Sequence, residues 1–246
     1  MKNVAVILAA GSGSRTGLDI PKQFLMLAGK YVLEHSVDTF CAHPKIEEVT
    51  IVVASEYIDK VQALAKERGW QKVKHIVQGG KERYHSTLAA VDIYRNMPDC
   101  NMLIHDAARP LVTTEIIDRT IEAMDSYTAA DVAIPVADTI VETHDSGKTM
   151  DTVLNRDILY SEQTPQAFRR SVLEEAYKIA LQDPYFKSTD DCGTVIKYMP
   201  QVPVGIVPGD TSNIKLTFAS DIPMIEWLLS NRKRYHYPFT QFFLHL

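Results

Sequence analysis

Five short apolar runs recur along the first part of the chain, and each is continuous rather than alternating. They are VAVILA (4–9), VTIVVA (49–54), KHIVQ (74–78), NMLIH (101–105) and DVAIPV (131–136). A strand with one face in water alternates apolar and polar residues; a continuous run marks a strand buried on both faces. Between the runs lie stretches with helical spacing: Leu33, Val37 and Phe40 near 31–41, and Ile58, Val61 and Leu64 near 56–68. Two more span roughly 85–96 and 113–126. This alternation predicts an α/β fold, a Rossmann-like, mostly parallel sheet flanked by helices. The chain of 246 residues is long enough for one or two domains. With no linker, repeat or low-complexity segment, residues 1–246 read as one domain.

The pattern changes after Val136. Residues 137–165 are β-rich, polar and interrupted by Asp145-Ser146-Gly147, a turn signal. They predict an extended, protruding β-arm rather than another strand–helix unit. A helix is expected near 170–182 (Val172, Ala176, Ile179, Ala180), then polar sequence containing Asp190 and Asp191. A strand pair near 203–217 and a helix near 220–230 follow. The tail RKRYHYPFTQFFLHL (232–246) is cationic, then aromatic, and is expected to pack on its own domain or on a partner subunit.

The first run leads straight into ILAAGSGSRTGLDIPKQF (7–24), a glycine loop that also carries Arg15 and Lys22. Two familiar phosphate loops fail here. A P-loop needs Lys-Ser/Thr after its last glycine, and Gly17 is followed by neither. A dinucleotide fingerprint needs an acidic residue about 20 positions on. The first acidic residue past the second strand is Glu56, about twice too far. A third reading fits: Gly11, Gly13 and Gly17 let backbone N–H groups approach an anion, while Arg15 and Lys22 add charge against a polyphosphate. Phosphoryl and nucleotidyl transfer rest on positioning and charge stabilisation, so cations in such a loop bear on the chemistry itself. The plain alternative is a surface loop with incidental cations.

Other residues fall where an α/β sheet binds ligands, beyond the carboxyl ends of its strands. His105-Asp106-Ala107-Ala108-Arg109-Pro110 ends a predicted strand. Asp106 suits Mg²⁺, which takes one or two carboxylates plus substrate oxygens; it equally suits a helix cap or a buried pair with Arg109. His105 reads as a structural strand-end residue, since a phosphate nucleophile is already ionised and needs no base. Gly79-Gly80-Lys81-Glu82-Arg83, followed by Ser86, is another strand-to-helix turn whose glycines suit close approach to a base or ribose. Lys215 stands between Ile214 and Leu216 in a strand-like segment, as edge solvation or as a functional cation. Arg156, in the arm, is ambiguous alone.

Composition excludes some classes. A net charge of −5 speaks against a non-specific nucleic-acid binder. No apolar run approaches the ~20 residues of a membrane span. Lys2 with Val4–Ala10 resembles a signal peptide only faintly, because the run is short and enters the glycine loop directly. Cys41, Cys100 and Cys192 lie far apart without metal-ligand spacing. They fit free thiols in a reducing cytoplasm.

Six ordered motifs carry a family likeness: LAAGSGSRTG…PKQF, GGKERYHST, HDAARP, PVADTIV, EQTPQAF and GDTSNIKLT. From about residue 3 to 230 the chain resembles the CTP-dependent cytidylyltransferases of polyol phosphates. These include enzymes acting on 2-C-methyl-D-erythritol 4-phosphate, for isoprenoids, and on ribitol 5-phosphate, for the CDP-ribitol of surface polymers. The resemblance implies a nucleotidyltransferase and a homodimer joined through the arm. It places Ala10, Gly11, Gly13, Arg15 and Lys22 around the CTP triphosphate, and Gly80 and Ser86 at the cytosine. Asp106 would lie at the Mg²⁺ (or another divalent cation) and the acceptor, with Arg109 nearby. Lys215 would stabilise the α-phosphate in the transition state, making Arg15, Lys22 and Lys215 the catalytic cations. Thr139, Arg156 and Thr164, on the arm, would reach the acceptor phosphate of a neighbouring subunit.

The acceptor divides the motifs. LAAG and HDAARP resemble the methylerythritol branch. DTIV, the Tyr160-x-x-Gln163-Thr164-Pro165-Gln166 run, the Asp191-Cys192 pair and GGKERYHST resemble the ribitol branch, which this reading favours. A catalytically inactive nucleotide-binding relative is the reading from another class, because a fold alone does not fix function.

Overall fold

The computed structural model describes residues 1–11 and 20–231. In chain order the elements are β1 (Asn3–Ala9), β2 (Met26–Leu27), β3 (Lys30–Tyr31), α1 (Val32–Ala42), β4 (Glu48–Val53), α2 (Ile58–Arg68) and β5 (Val73–Gln78). Then come α3 (Arg83–Tyr94), β6 (Asn101–Asp106), α4 (Thr114–Ala123), β7 (Ala129–Pro135), β8 (Val141–Glu142) and β9 (Thr152–Val153). The last are β10 (Tyr160–Arg169), α5 (Arg170–Ala180), α6 (Asp191–Tyr198), β11 (Val204–Pro208) and α7 (Ile222–Asn231). The five continuous apolar runs form β1, β4, β5, β6 and β7, each within two residues of the expected bounds.

Together with β10 and β11, these five strands build one seven-stranded sheet in the order β11-β7-β10-β6-β1-β4-β5. All neighbours are parallel except β10, which runs antiparallel between β6 and β7. Apolar side chains fill both faces. Ala5, Ile7, Ile51 and Leu103 pack under α1, α2 and α4, and Val4, Val6, Met102 and Phe168 pack under α3, α5 and α6. Chain order reverses at β1, which pairs with β4 on one side and β6 on the other. That switch point opens a crevice at the carboxyl ends of β1 and β6.

Three expectations need correction. The arm does not extend to 165. Its paired part is the two-residue strands β8 and β9, and β10 from Tyr160 onward belongs to the central sheet. Thr164 therefore sits inside the sheet, 4% exposed, and not on a projection. The strand pair near 203–217 is one strand, β11; residues 213–217 are irregular, tied to the sheet by Leu216 N–H donating to the Ala108 carbonyl at 2.8 Å. Leu216 instead packs with Leu27, Val32, Leu111 and Ile225, which anchors Lys215 beside the sheet's end. The polar stretch at 190–198 is helix α6, capped by the Asp190 carboxylate accepting from Gly193 N–H at 3.0 Å. No helix among the described residues is long and apolar enough to cross a membrane.

Candidate active site

A cleft of about 350 Å³ opens at the switch point. It gathers Ala10 and Gly11 from the end of β1, Gly80 and Ser86 from the turn before α3 and its first turn, and Asp106 from the end of β6. Lys22, which opens a single 3₁₀ turn (Lys22–Phe24), and Lys215, from an irregular segment, complete the set. Residues separated by as much as 205 positions in sequence thus meet at the place where a parallel sheet presents its strand ends. Gly13 and Arg15 lie outside the described residues.

Each wall has a local reason for its shape. Gln23 Nε2 donates to the carbonyls of Ala9 at 2.8 Å and Gly11 at 3.1 Å, fixing the direction in which the chain leaves β1. Gly79 is demanded by space: a Cβ there would lie 2.5 Å from Ala10 Cβ and 2.6 Å from Ser86 Oγ. The two chain segments that line the cleft can approach this closely only over a bare Cα. Lys22 Nζ donates to the Leu216 carbonyl at 3.1 Å, which brings it beside the segment that carries Lys215. The lining holds four cationic side chains (Lys22, Lys81, Arg83, Lys215) against two carboxylates (Glu82, Asp106), a balance suited to a polyanion.

Asp106 is the centre of the charge network. It is 9% exposed, and both oxygens are engaged: Oδ1 accepts from Arg83 Nε at 3.3 Å and Oδ2 from Lys215 Nζ at 2.5 Å. Burial alone would raise this carboxyl, but Arg83 and Lys215 outweigh it and hold it well below the usual carboxylate range. Arg83 also pairs with the buried Asp191 of α6, which accepts in turn from the Tyr177 hydroxyl of α5. In the sequence Arg83 only closes the Gly79–Arg83 turn, and nothing there marks it as functional. An arginine opening a helix looks like an ordinary solvated residue, and the carboxylate it meets, Asp191, stands 108 positions away.

His105 faces the opposite side of the sheet, with its ring 5.2 Å from that of Phe40. Asp106 N–H donates to Thr164 Oγ1 at 3.2 Å. His105 Nε2 faces the Arg109 carbonyl, which only accepts, so Nδ1 of the neutral ring accepts from the Thr164 hydroxyl at 2.8 Å. Nε2 then carries the ring proton and donates to the Arg109 carbonyl at 3.1 Å. Burial lowers the imidazole to about 4, which keeps it neutral. His105 is a structural residue of the strand end.

Of the residues expected at the acceptor, Asp106 lines the cleft, while Arg109, Thr139, Arg156 and Thr164 do not. Thr164 spends its hydroxyl on His105 and Asp106. Arg109 donates from Nη1 to the Asn213 carbonyl at 2.7 Å and from Nη2 to the Glu162 carbonyl at 3.0 Å, tying the Lys215 segment to β10. Thr139 and Arg156 stand exposed on the arm, where Arg156 Nη1 donates to the Ala137 carbonyl at 3.1 Å. Among the described residues, no group of three or more His, Cys, Asp or Glu side chains is arranged to hold a metal ion.

A cationic cleft at the switch point of a mostly parallel sheet suits a polyanion, and comparison with known proteins narrows the class of protein. The family model for IspD, 2-C-methyl-D-erythritol 4-phosphate cytidylyltransferase, matches residues 3–231. The 2-C-methyl-D-erythritol 4-phosphate cytidylyltransferase of Thermobifida fusca is 42% identical over 229 residues, covering 92% of each chain. The bifunctional ribulose 5-phosphate reductase/CDP-ribitol pyrophosphorylase Bcs1 of Haemophilus influenzae is 41% identical over 235 residues. That match covers 95% of this chain, which spans only 49% of the Haemophilus protein. The crystal structure of 4-diphosphocytidyl-2C-methyl-D-erythritol synthase from Anaerococcus prevotii superposes with a TM-score of 0.81 at 29% identity, covering 93% of this chain and 96% of that one. The chain belongs to the 2-C-methyl-D-erythritol 4-phosphate cytidylyltransferase family, a family of CTP-dependent nucleotidyltransferases.

Proposed function

We propose that the chain transfers the cytidylyl group of CTP to 2-C-methyl-D-erythritol 4-phosphate and releases pyrophosphate. The observation that carries this reading is the match of the family model over residues 3–231, which includes every described residue of the cationic cleft. An acceptor phosphate oxygen attacks the α-phosphorus of CTP in line; the bond from that phosphorus to the bridging oxygen breaks, and pyrophosphate leaves with the electron pair. Lys22, Lys215 and Arg15 offset the charge that builds on the phosphates. The backbone at Ala10, Gly11 and Gly13 lies along the triphosphate, and Gly80 and Ser86 receive the base. Thr139 and Arg156 contact the acceptor phosphate from the arm of a second subunit in a homodimer. Arg109 and Thr164 act beneath the site, by holding β10, Asp106 and the Lys215 segment in place.

A divalent cation such as Mg²⁺ fits the donor set on one condition. Both oxygens of Asp106 are occupied, so it could hold the ion together with phosphate oxygens once Lys215 has moved onto the nucleotide. Bound there, the ion supplies charge neutralisation on the triphosphate. A reducing cytoplasm suits the three unpaired cysteines and a soluble nucleotide substrate.

The motif reading favours ribitol 5-phosphate, and the relatives shift the choice. The Thermobifida protein matched over 92% of its length is named for 2-C-methyl-D-erythritol 4-phosphate. Ribitol 5-phosphate stays as the second reading because the Haemophilus relative, named for CDP-ribitol, is 41% identical over 95% of this chain. The test is Mg²⁺-dependent pyrophosphate release from CTP, with both acceptors at matched concentrations. Faster turnover of 2-C-methyl-D-erythritol 4-phosphate supports the proposal, faster turnover of ribitol 5-phosphate replaces its acceptor, and silence with both overturns it. Arg156→Ala should raise KM for the acceptor about tenfold and leave KM for CTP unchanged. Equal loss of both would remove the arm from acceptor binding.

A further inference from the structure

Asp191 is fully buried, and both of its oxygens are taken. The Tyr177 hydroxyl donates to Oδ1 and Arg83 Nη1 donates to Oδ2. Its backbone N–H is held as well, by Gln166 Oε1 at 3.2 Å. Arg83 reaches the other way with Nε, to Asp106 Oδ1 at 3.3 Å. One planar guanidinium therefore bridges a carboxylate that faces the cleft and a carboxylate sealed in the core. Only Arg83 pairs with Asp191 among the described ion pairs, so its position is set from behind.

Lys215 holds the second oxygen of Asp106 on quite different terms. Its side chain is 35% exposed, and it comes from an irregular segment rather than a helix. To stabilise a phosphate it must share its three donors between that phosphate and Asp106, or leave Asp106 altogether. A carboxylate as enclosed as Asp106 then relies on Arg83, together with any divalent cation that joins it, because a buried charge stripped of its partners is strongly destabilising. Arg83 cannot follow Lys215 without abandoning Asp191.

We propose that Arg83, clamped by Asp191 and Tyr177, is the positioning residue that keeps Asp106 aimed into the cleft while Lys215 transfers to the nucleotide's phosphates. This rests on the cytidylyl-transfer reading above. Arg83 itself need not touch the reacting atoms; it acts through Asp106.

The experiment compares Arg83→Lys, Arg83→Gln, and Arg83→Gln combined with Asp191→Asn, by steady-state pyrophosphate release and thermal melting. Misplacing a reacting group by about 1 Å can cost about 10²-fold, so Arg83→Gln should lower kcat by roughly 10–100-fold. KM for CTP should stay within about threefold, since ground-state binding is not what the clamp supplies. Arg83→Lys should fall between, because an ammonium lacks the planar fork that spans two carboxylates. The double variant removes the stranded charge on Asp191. It should recover the wild-type Tm yet keep the low kcat. Recovery of kcat together with Tm would mean that the clamp only stabilises the fold, and would overturn the inference. If the double variant does not fold, Tyr177→Phe decides. It removes one bond to Asp191 and no charge, and an unchanged kcat there overturns the inference, whereas a lower kcat at constant KM for CTP supports it. A wild type that releases no pyrophosphate with either acceptor sinks the reading beneath; an active wild type with indifferent variants sinks this inference alone.

Discussion

Two aspartates buried in the same sheet sit in opposite electrostatic worlds. Asp106, at the end of β6, lies between Arg83 and Lys215 and is held well below the usual carboxylate range. Asp131, on β7, is 6% exposed, and burial, with Glu162 and Asp190 adding to it, pushes it up to about 8. Desolvation acts on both in the same direction, so the neighbours alone decide the sign. The lesson is about where this fold concentrates charge. The switch-point side of β10 is built to keep a carboxylate ionised next to cations that can be lent to a substrate. On the far side, burial and two acidic neighbours push the carboxyl up instead.

The largest effect should come from breaking the ionised side. Lys215→Ala removes a cation placed to stabilise charge on the reacting phosphate. It should lower kcat by about 10²–10³-fold with a smaller change in KM for CTP, measured by pyrophosphate release. A loss expressed only in KM would place Lys215 in binding rather than in the chemical step.

Asp106→Asn should also abolish most activity, and it sharpens the contrast through stability. The folded Asp106 titrates below its unfolded value of 3.8. Its contribution is therefore present above that value and lost as pH falls through the folded one. The Asn variant lacks this carboxylate and leaves Arg83 and Lys215 without it. It should melt lower than wild type at pH 7, by about 2–4 °C for each kcal/mol lost, and the gap should narrow toward pH 3. A gap that stays constant with pH would mean the ion network contributes nothing specific.

The same contrast explains what the sequence made legible. Continuous apolar runs revealed β1, β4, β5, β6 and β7, because hydropathy is what buries a strand on both faces. β10 escaped because Gln163, Thr164 and Gln166, all nearly inaccessible, are accommodated by hydrogen bonds rather than by apolar character. Such satisfaction cannot be seen until the partners are in place. α6 escaped for a related reason: its first residues are Asp190 and Asp191, one capping the helix and one serving Arg83. Lys22, Gly80, Ser86, Asp106 and Lys215 all line the cleft. Strand ends, where this fold binds ligands, pointed to Asp106 and to the turn carrying Gly80 and Ser86, the glycine loop pointed to Lys22, and the family resemblance alone chose a functional cation for Lys215. Arg83 was not legible, since its meaning lies in two carboxylates distant in sequence. Arg109 and Thr164 were expected at the acceptor, but their groups turn inward to carbonyls, to His105 and to the Asp106 backbone.

The smallest effect, and the one that isolates the neutral side, is Asp131→Asn. In wild type the folded carboxyl keeps its proton to about pH 8, whereas the unfolded chain releases it near 3.8. Between those values the folded state binds more protons than the unfolded state. The stability this group contributes is thus fully present below 3.8 and declines as pH rises through about 8. The slope is at most about 1.4 kcal/mol per pH unit for one group. Asn is of similar size, cannot ionise, and carries none of this dependence. The variant should therefore melt close to wild type at pH 4.5 and above it at pH 8.5, with kcat for pyrophosphate release unchanged because Asp131 does not line the cleft. A variant that melts below wild type at pH 8.5 would show that Asp131 is ionised and paired in the fold. The two aspartates would then differ in position but not in kind.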